Sequence, residues 1–178
     1  IQEVSWAIAH AHARGVIHRD IKPDNILLEE GNDRAVVTDF GIAAVGEGDT
    51  PVGTAVGTMH YMSPEQAVGA PPDARADVYA LGVTAFMALA GRRPFEGAEG
   101  RALLAQQAGS DAPSIRSLVP ALAAVPASVI DRALARDPAA RWPTVEEFAA
   151  AAVFLASAAA SYVTGSLVRI DGGIIASL

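Results

Sequence analysis

Residues 18–25 read His18-Arg19-Asp20-Ile21-Lys22-Pro23-Asp24-Asn25, and fourteen positions after Asn25 comes Asp39-Phe40-Gly41. The two stretches supply an acid able to take a proton from a hydroxyl (Asp20), a cation suited to a phosphate (Lys22) and two oxygen ligands for magnesium (Asn25, Asp39). A phosphoryl-transfer site needs these parts, because its catalysis is mostly positioning and charge neutralisation. Either motif alone is weak. The two together, in this order and at this distance, are specific.

The flanks give the local structure. Residues 2–14 are helical in character, with Val4, Ile8 and Ala11 on one face, Trp6 nearby and Gly15 as the stop. Val16-Ile17 suffices only for a bridge-like strand. Residues 26–29 and 35–38 are β-rich and flank the turn-forming Gly31-Asn32-Asp33, which predicts a small hairpin between the two motifs. Residues 42–60 are rich in Gly and Thr and lack periodicity, so a long loop of the functional kind is expected.

Residues 78–90 carry no charge on any face, the pattern of a buried helix, with Arg92-Arg93-Pro94 to close it. Further helices are expected at 98–108, 126–136 and 144–156. Asp137-Pro138 should break the second, and Thr144 with Glu147 should form a capping box for the last. The fold class is therefore α+β, mainly α-helical, with one small hairpin at the loop carrying Asp20 and a helix-strand tail. No alternating βαβ pattern and no internal repeat is present.

With 178 residues, 51% of them apolar and 19% charged, the chain can bury a real core. A net charge of −7 argues against nucleic acid and against an anionic membrane surface as partners. The absence of cysteine excludes disulfides, thiol nucleophiles and zinc-thiolate sites, and it permits a reducing cytoplasm, the expected location. The chain starts at Ile1 inside a helical pattern, with no signal peptide in view, and reads as a piece of something longer. Residues 148–168 carry no charge and could span a bilayer by length. Alanine dominates them, however, and Ser157, Ser161, Tyr162, Thr164, Gly165 and Ser166 favour a soluble helix followed by a strand.

The motifs resemble those of protein kinases, and Tyr61-Met62-Ser63-Pro64-Glu65-Gln66-Ala67 is most similar to bacterial Ser/Thr kinases of the eukaryotic type. Gly57-Thr58 and Ser63-Pro64-Glu65 resemble the end of an activation segment. Asp77-Val78-Tyr79-Ala80-Leu81-Gly82 resembles the buried central helix of the large lobe. The stretch from Arg136-Asp137-Pro138 to Arg141-Trp142-Pro143-Thr144 resembles the segment whose arginine pairs with the Pro-Glu glutamate. The resemblance covers residues 1 to about 150, and it implies a C-terminal kinase lobe.

The roles it implies follow. Asp20 orients or deprotonates a substrate hydroxyl, Lys22 neutralises the transferred phosphoryl group, and Asn25 and Asp39 hold the Mg2+ of ATP. Lys22 and Thr58 favour a protein substrate with a Ser/Thr acceptor. Asp77 accepts hydrogen bonds from the catalytic-loop backbone, and Glu65 with Arg141 forms a buried ion pair. His18 packs beside Phe40, which with Gly41 completes the magnesium-loop motif. Arg19 docks an activation-loop phosphate, for which Thr54 is the first candidate and Thr50 the second, while Thr58 positions the substrate.

The same residue types also have plainer uses. His10, His12 and His60 have no ligand spacing, so no metal role is expected of them. Glu29-Glu30 and Glu146-Glu147 read as solvated or helix-start charge, Trp142 as a packing residue and Asp73 as a turn or helix-start residue.

Kinases also carry a small lobe with a Gly-rich loop, a phosphate-gripping strand lysine and its glutamate partner. None of these motifs occurs in the 178 residues. The chain alone is therefore expected to be inactive, with a small lobe as its missing partner. The alternative is a non-catalytic kinase-like interaction module. Residues 151–178 resemble the end of a short-chain dehydrogenase, through Phe154-Leu155-Ala156-Ser157, Ser161-Tyr162-Val163-Thr164-Gly165 and Asp171-Gly172-Gly173. That family's Tyr-x-x-x-Lys and dinucleotide turn do not occur, so no dehydrogenase activity is expected. A strand at 166–170 would have an unpaired edge open to self-association.

Overall fold

The spacing of Val4 and Ile8 sets the first helix. The computed structural model describes residues 2–30, 34–40 and 57–156. Within it Gln2–His12 form α1, whose buried stripe is Val4, Ser5, Ile8 and Ala9. Gly15 takes a φ of 75°, a conformation that glycine adopts without the strain a Cβ brings. No strand forms at Val16-Ile17, and the chain runs directly into the site loop.

A 3-10 turn, Pro23–Asn25, leads into β1 (Ile26–Leu28), which pairs antiparallel with β2 (Ala35–Val37), Ile26 opposite Val37 and Leu28 opposite Ala35. A two-stranded ribbon is marginal by itself. Here it is tied to α1, because the Glu3 carboxylate accepts the Ala35 N–H at 2.6 Å. Beyond the ladder, the Thr38 N–H donates to Asn25 O at 2.9 Å. The hairpin thus fastens the segment carrying Asn25 to the one carrying Asp39.

A second 3-10 turn, Thr58–Tyr61, precedes α2 (Pro64–Ala67). The end of the expected 42–60 loop is therefore regular structure. The long helix α3 (Arg75–Ala90) follows, then α4 (Gly100–Gly109), α5 (Ala124–Ala133) and α6 (Val145–Ala156). Two further 3-10 turns lie at Ile115–Ser117 and Pro138–Ala140.

The core sits around α3. Val78, Tyr79, Leu81, Val83 and Phe86 are buried on several sides of it, against Ile8, Ile130, Ala133, Trp142 and Phe148 of the surrounding elements. Gly82 lets α5 approach closely, for a Cβ there would lie 2.9 Å from Ala133 Cβ. The helix stops one residue before the Arg-Arg-Pro stretch, at Gly91, whose φ is 70° and whose N–H returns to Met87 O at 2.9 Å. Likewise α5 ends at Ala133, short of Asp137-Pro138. Asp137 instead opens the next turn, its Oδ1 accepting the Ala139 N–H at 2.9 Å.

At the start of α6 the Glu147 N–H donates to Thr144 Oγ1 at 3.2 Å, half of the expected capping box. Trp142 is buried and donates through Nε1 to Val129 O at 3.0 Å. Asp73 starts α3 by accepting the Arg75 N–H at 2.7 Å. No described helix is long and apolar enough to cross a membrane. The 31–33 turn, Gly41, Thr50, Thr54 and the tail with its expected strand at 166–170 lie outside the described residues.

Candidate active site

Asp77, in the first turn of α3, is fully buried and organises the loop that carries Asp20. Its Oδ1 accepts the Arg19 N–H at 2.8 Å and its Oδ2 the His18 N–H at 2.9 Å. A third donor, His12 Nε2 at the end of α1, reaches Oδ2 at 2.6 Å. A buried carboxylate must be satisfied in this way to remain charged. The bonds also hold Arg19 at a φ of 66°, a backbone conformation that costs about 1–3 kcal/mol outside glycine. The loop is thereby turned so that Asp20 follows at the open side.

Asp20 is the centre of the next layer. Lys22 Nζ donates to Asp20 Oδ2 at 2.9 Å and to Thr58 Oγ1 at 2.7 Å. Asn25 Nδ2 donates to Asp20 O at 2.8 Å and to Asp20 Oδ2 at 3.1 Å. Asp20 Oδ1 has no hydrogen-bond partner among the described residues. Thr58 comes from the turn after the long loop, so tertiary structure joins residues 36 positions apart through one ammonium group.

His18 is buried between backbone groups. Its Nδ1 accepts the Asp20 N–H at 3.3 Å, which leaves Nε2 to donate to Thr38 O at 3.0 Å. With both ring nitrogens occupied, it has no free lone pair for a substrate proton. Its ring lies 4.7 Å from that of Phe40, tilted by 46°. Asp39 is exposed and has a φ of 57°.

Two features support this layer from below. Arg141, fully buried, forms a bidentate pair with Glu65 at 2.8 and 2.7 Å. Its other donors go to Ala135 O, Arg75 O and Arg136 O, and its guanidinium carbon lies 5.0 Å from the Tyr79 ring centroid. Burial opposes the charge on Glu65, but the hydrogen bonds and charge of Arg141 outweigh it and hold the carboxyl below the usual glutamate range. Burial pushes the Tyr79 phenol well above its ordinary value, so it stays neutral. On α2, Gln66 takes the Ser63 N–H on Oε1 at 3.0 Å and donates through Nε2 to Arg19 O at 3.1 Å. That amide links the Ser-Pro-Glu motif to the site loop.

His12, Gln66 and Gln107 do not stand out in the sequence. His12 shows only as one of three scattered histidines, Gln66 only as a member of the Tyr61–Ala67 motif with no role of its own, and Gln107 not at all. Their partners lie 65, 47 and 48 positions away, beyond any local pattern. His60, on the Thr58 turn, is pushed below the usual histidine range by burial and by Arg93, against the opposing pull of Glu99 and Glu96.

A central buried helix, a small hairpin and this carboxylate-lysine-threonine constellation frame the candidate site. The chain belongs to the protein kinase family: residues 1–154 match its protein kinase domain. It is similar to bacterial Ser/Thr kinases. Serine/threonine-protein kinase Pkn1 of Myxococcus xanthus is 43% identical over 154 residues, which cover 83% of this chain and 22% of that protein. PrkC of Bacillus subtilis is 39% identical over 153 residues, covering 84% and 23%. The crystal structure of the Mycobacterium tuberculosis PknI kinase domain matches with a TM-score of 0.63 at 35% identity, covering 84% of this chain and 51% of that one. The chain thus spans about half of that solved domain and about a quarter of the curated relatives.

Proposed function

We propose that residues 1–150 are the C-terminal lobe of a Ser/Thr protein kinase, which in the complete enzyme transfers a phosphoryl group from Mg-ATP to a Ser or Thr hydroxyl of a protein. The observation that carries this reading is the Asp20–Lys22–Thr58 network, closed on its other side by Asn25. Asp20 Oδ1, buried and without a hydrogen-bond partner among the described residues, is the carboxylate oxygen with an unfilled acceptor site for a hydroxyl hydrogen. Lys22, held between Asp20 and Thr58, presents fixed positive charge where phosphoryl oxygens would gather.

The residues fit magnesium. The Nδ2 group of buried Asn25 is engaged by Asp20, so its amide oxygen is the atom left for a metal. Asp39 supplies an exposed carboxylate. Magnesium characteristically takes one or two such oxygen ligands and completes its shell with phosphate and water. When bound, Mg-ATP supplies the phosphoryl group and the metal screens its charge.

Exposed apolar side chains support the lobe assignment. Trp6 is 60% exposed, Leu27 53% and Leu28 69%, apolar side chains of the kind a second lobe could cover.

The test is complementation. Residues 1–178 alone should transfer no label from radioactive ATP. Adding a separately produced kinase small lobe should yield transfer to a Ser/Thr peptide, lost in Asp20→Asn. Transfer that survives Asp20→Asn would sink the assignment. Association of the two lobes without any transfer would favour the docking-module alternative.

A further inference from the structure

Gln107 lies on α4, far in sequence from the motifs, yet it is only 1% exposed. It and Leu103 are the buried residues of α4. Its Nε2 donates to Met59 O at 3.0 Å and to His60 O at 3.3 Å. Both carbonyls belong to the Thr58–Tyr61 turn; Met59 O also receives the Met62 N–H at 3.3 Å, so the amide adds a second donor to the bond that closes the turn. Only the N–H edge of the amide can face two carbonyl oxygens, so its orientation is dictated by chemistry. The other edge, Oε1, is buried with no hydrogen-bond partner among the described residues. A leucine or methionine would fill the space without that penalty. A buried polar group that defeats the simplest packing solution points to a task beyond packing.

The turn it grips carries Thr58, whose Oγ1 receives Lys22 Nζ at 2.7 Å, while the same Nζ bonds Asp20 Oδ2 at 2.9 Å. Hydrogen bonds weaken quickly with distance and angle. A small shift of the turn would therefore release Lys22 from Thr58 and let it swing on Asp20. The geometry points to Gln107 as a positioning residue: it pins the Thr58–Tyr61 turn and, through Thr58, sets Lys22 against Asp20. In chemical terms it governs where the acceptor-side threonine and the phosphate-facing ammonium stand relative to the base. This deepens the kinase reading above and rests on it for its catalytic meaning, though the linkage itself can be measured without turnover.

The chain offers a clean probe, since Lys22 is its only lysine. Acylation by an amine-reactive ester, read by mass spectrometry and normalised to the N-terminal amine, reports the hold on Nζ. Its side chain is 16% exposed. Four variants of the full 178-residue chain are compared, each with its thermal melt. Gln107→Met removes the donor at nearly constant volume. Gln107→His keeps a ring N–H near the same place. Thr58→Val removes the acceptor itself. Leu103→Ala loosens α4 one turn away without touching the turn's carbonyls.

The expected result is several-fold faster acylation of Lys22 in Gln107→Met and Thr58→Val, near-normal rates in Gln107→His, and a lowered melt with an unchanged rate in Leu103→Ala. Equal rates in Gln107→Met and the parent chain would overturn the proposal. So would rates that follow the melting temperature across all four, because Gln107 would then be only a packing residue. Should Gln107→Met fail to fold, Gln107→His and Thr58→Val still decide: fast acylation in the first, or slow acylation in the second, breaks the chain of contacts. Absence of phosphoryl transfer after complementation would count against the kinase reading and leave these labelling outcomes intact.

Discussion

Arg141 grips Glu65 with two parallel hydrogen bonds, at 2.8 and 2.7 Å, across 76 residues of sequence. The arginine side chain is fully buried and the glutamate 13% exposed. The pair clamps α2, and with it the Ser-Pro-Glu motif, onto the segment leading to α6. Removing one partner of such a pair typically costs about 3–5 kcal/mol, because the other charge stays buried alone. Glu65→Ala and Arg141→Ala should both lower the melting temperature sharply. Asp20→Ala, whose carboxylate is 31% exposed, should lower it far less. Equal melts for the three would show that the pair contributes nothing.

The same pair predicts a pH dependence. Glu65 is held below the usual glutamate range in the folded chain, so the unfolded chain takes up that proton first. The stabilisation is full above the unfolded value of about 4.3 and fades as pH falls through the lower folded value. Melts of the parent and Glu65→Gln should differ most at pH 6–7 and converge in acid. A gap that is constant from pH 7 down to pH 3 would contradict the assignment.

Gly82 gives a packing test. Alanine is favoured over glycine in a helix by about 1 kcal/mol. Against that, the new Cβ would lie 2.9 Å from Ala133 Cβ and 3.2 Å from Leu134 Cδ2. Ala133 cannot yield without moving α5, and overpacking of this kind costs about 1–3 kcal/mol. Gly82→Ala should therefore destabilise on balance. A denaturant midpoint equal to or above the parent's would mean that α3 and α5 are less closely packed.

His12 tests the control of the loop that carries Asp20. His12→Ala removes one of the three donors on Asp77, and hydrogen bonds to a charged group contribute about 1.5–3 kcal/mol. Hydrogen exchange at the His18 and Arg19 amides should quicken in that variant, more than at the amides of α5. Exchange that rises equally everywhere would indicate general loosening and no special role for His12.

Regulation in a complete kinase can be probed at the activation loop. A phosphate carries about −1.5 to −2 charges at neutral pH and forms charge-assisted bonds to arginine. Thr54, and after it Thr50, are the proposed acceptors, with Arg19 as the docking residue. Phosphopeptide mapping after incubation of the complemented enzyme with ATP should find phosphate on one of them. A Thr54→Ala, Thr50→Ala double variant should lose activation. Unchanged activity with no phosphate between residues 46 and 57 would rule the mechanism out.

Much of the site could be read along the chain, because its residues cluster in short motifs. His18, Asp20, Lys22 and Asn25 fall within eight positions, and their chemistry suggests the proposed reaction before any fold is known. Helix placement was legible for the same reason. A charge-free run forces burial, so α3 was visible from residue 78 onward. Helix ends were less so: α5 stops short of its proline, where the Ala135 N–H turns to Arg132 O, an i→i−3 bond of 3.2 Å, and tightens the last turn.

Sequence by itself pointed to the family, the buried central helix and the hairpin between the two motifs. These follow from residue type and local period, which are properties of neighbours in the chain. Only the tertiary structure decided that His12 joins Asp77 in holding the loop, that Lys22 bridges Asp20 to Thr58, and that Gln107 contacts the turn bearing that threonine. Each of these is a hydrogen bond between groups tens of residues apart. Its partner is chosen by how helices pack around α3, and no pattern confined to one segment encodes that choice.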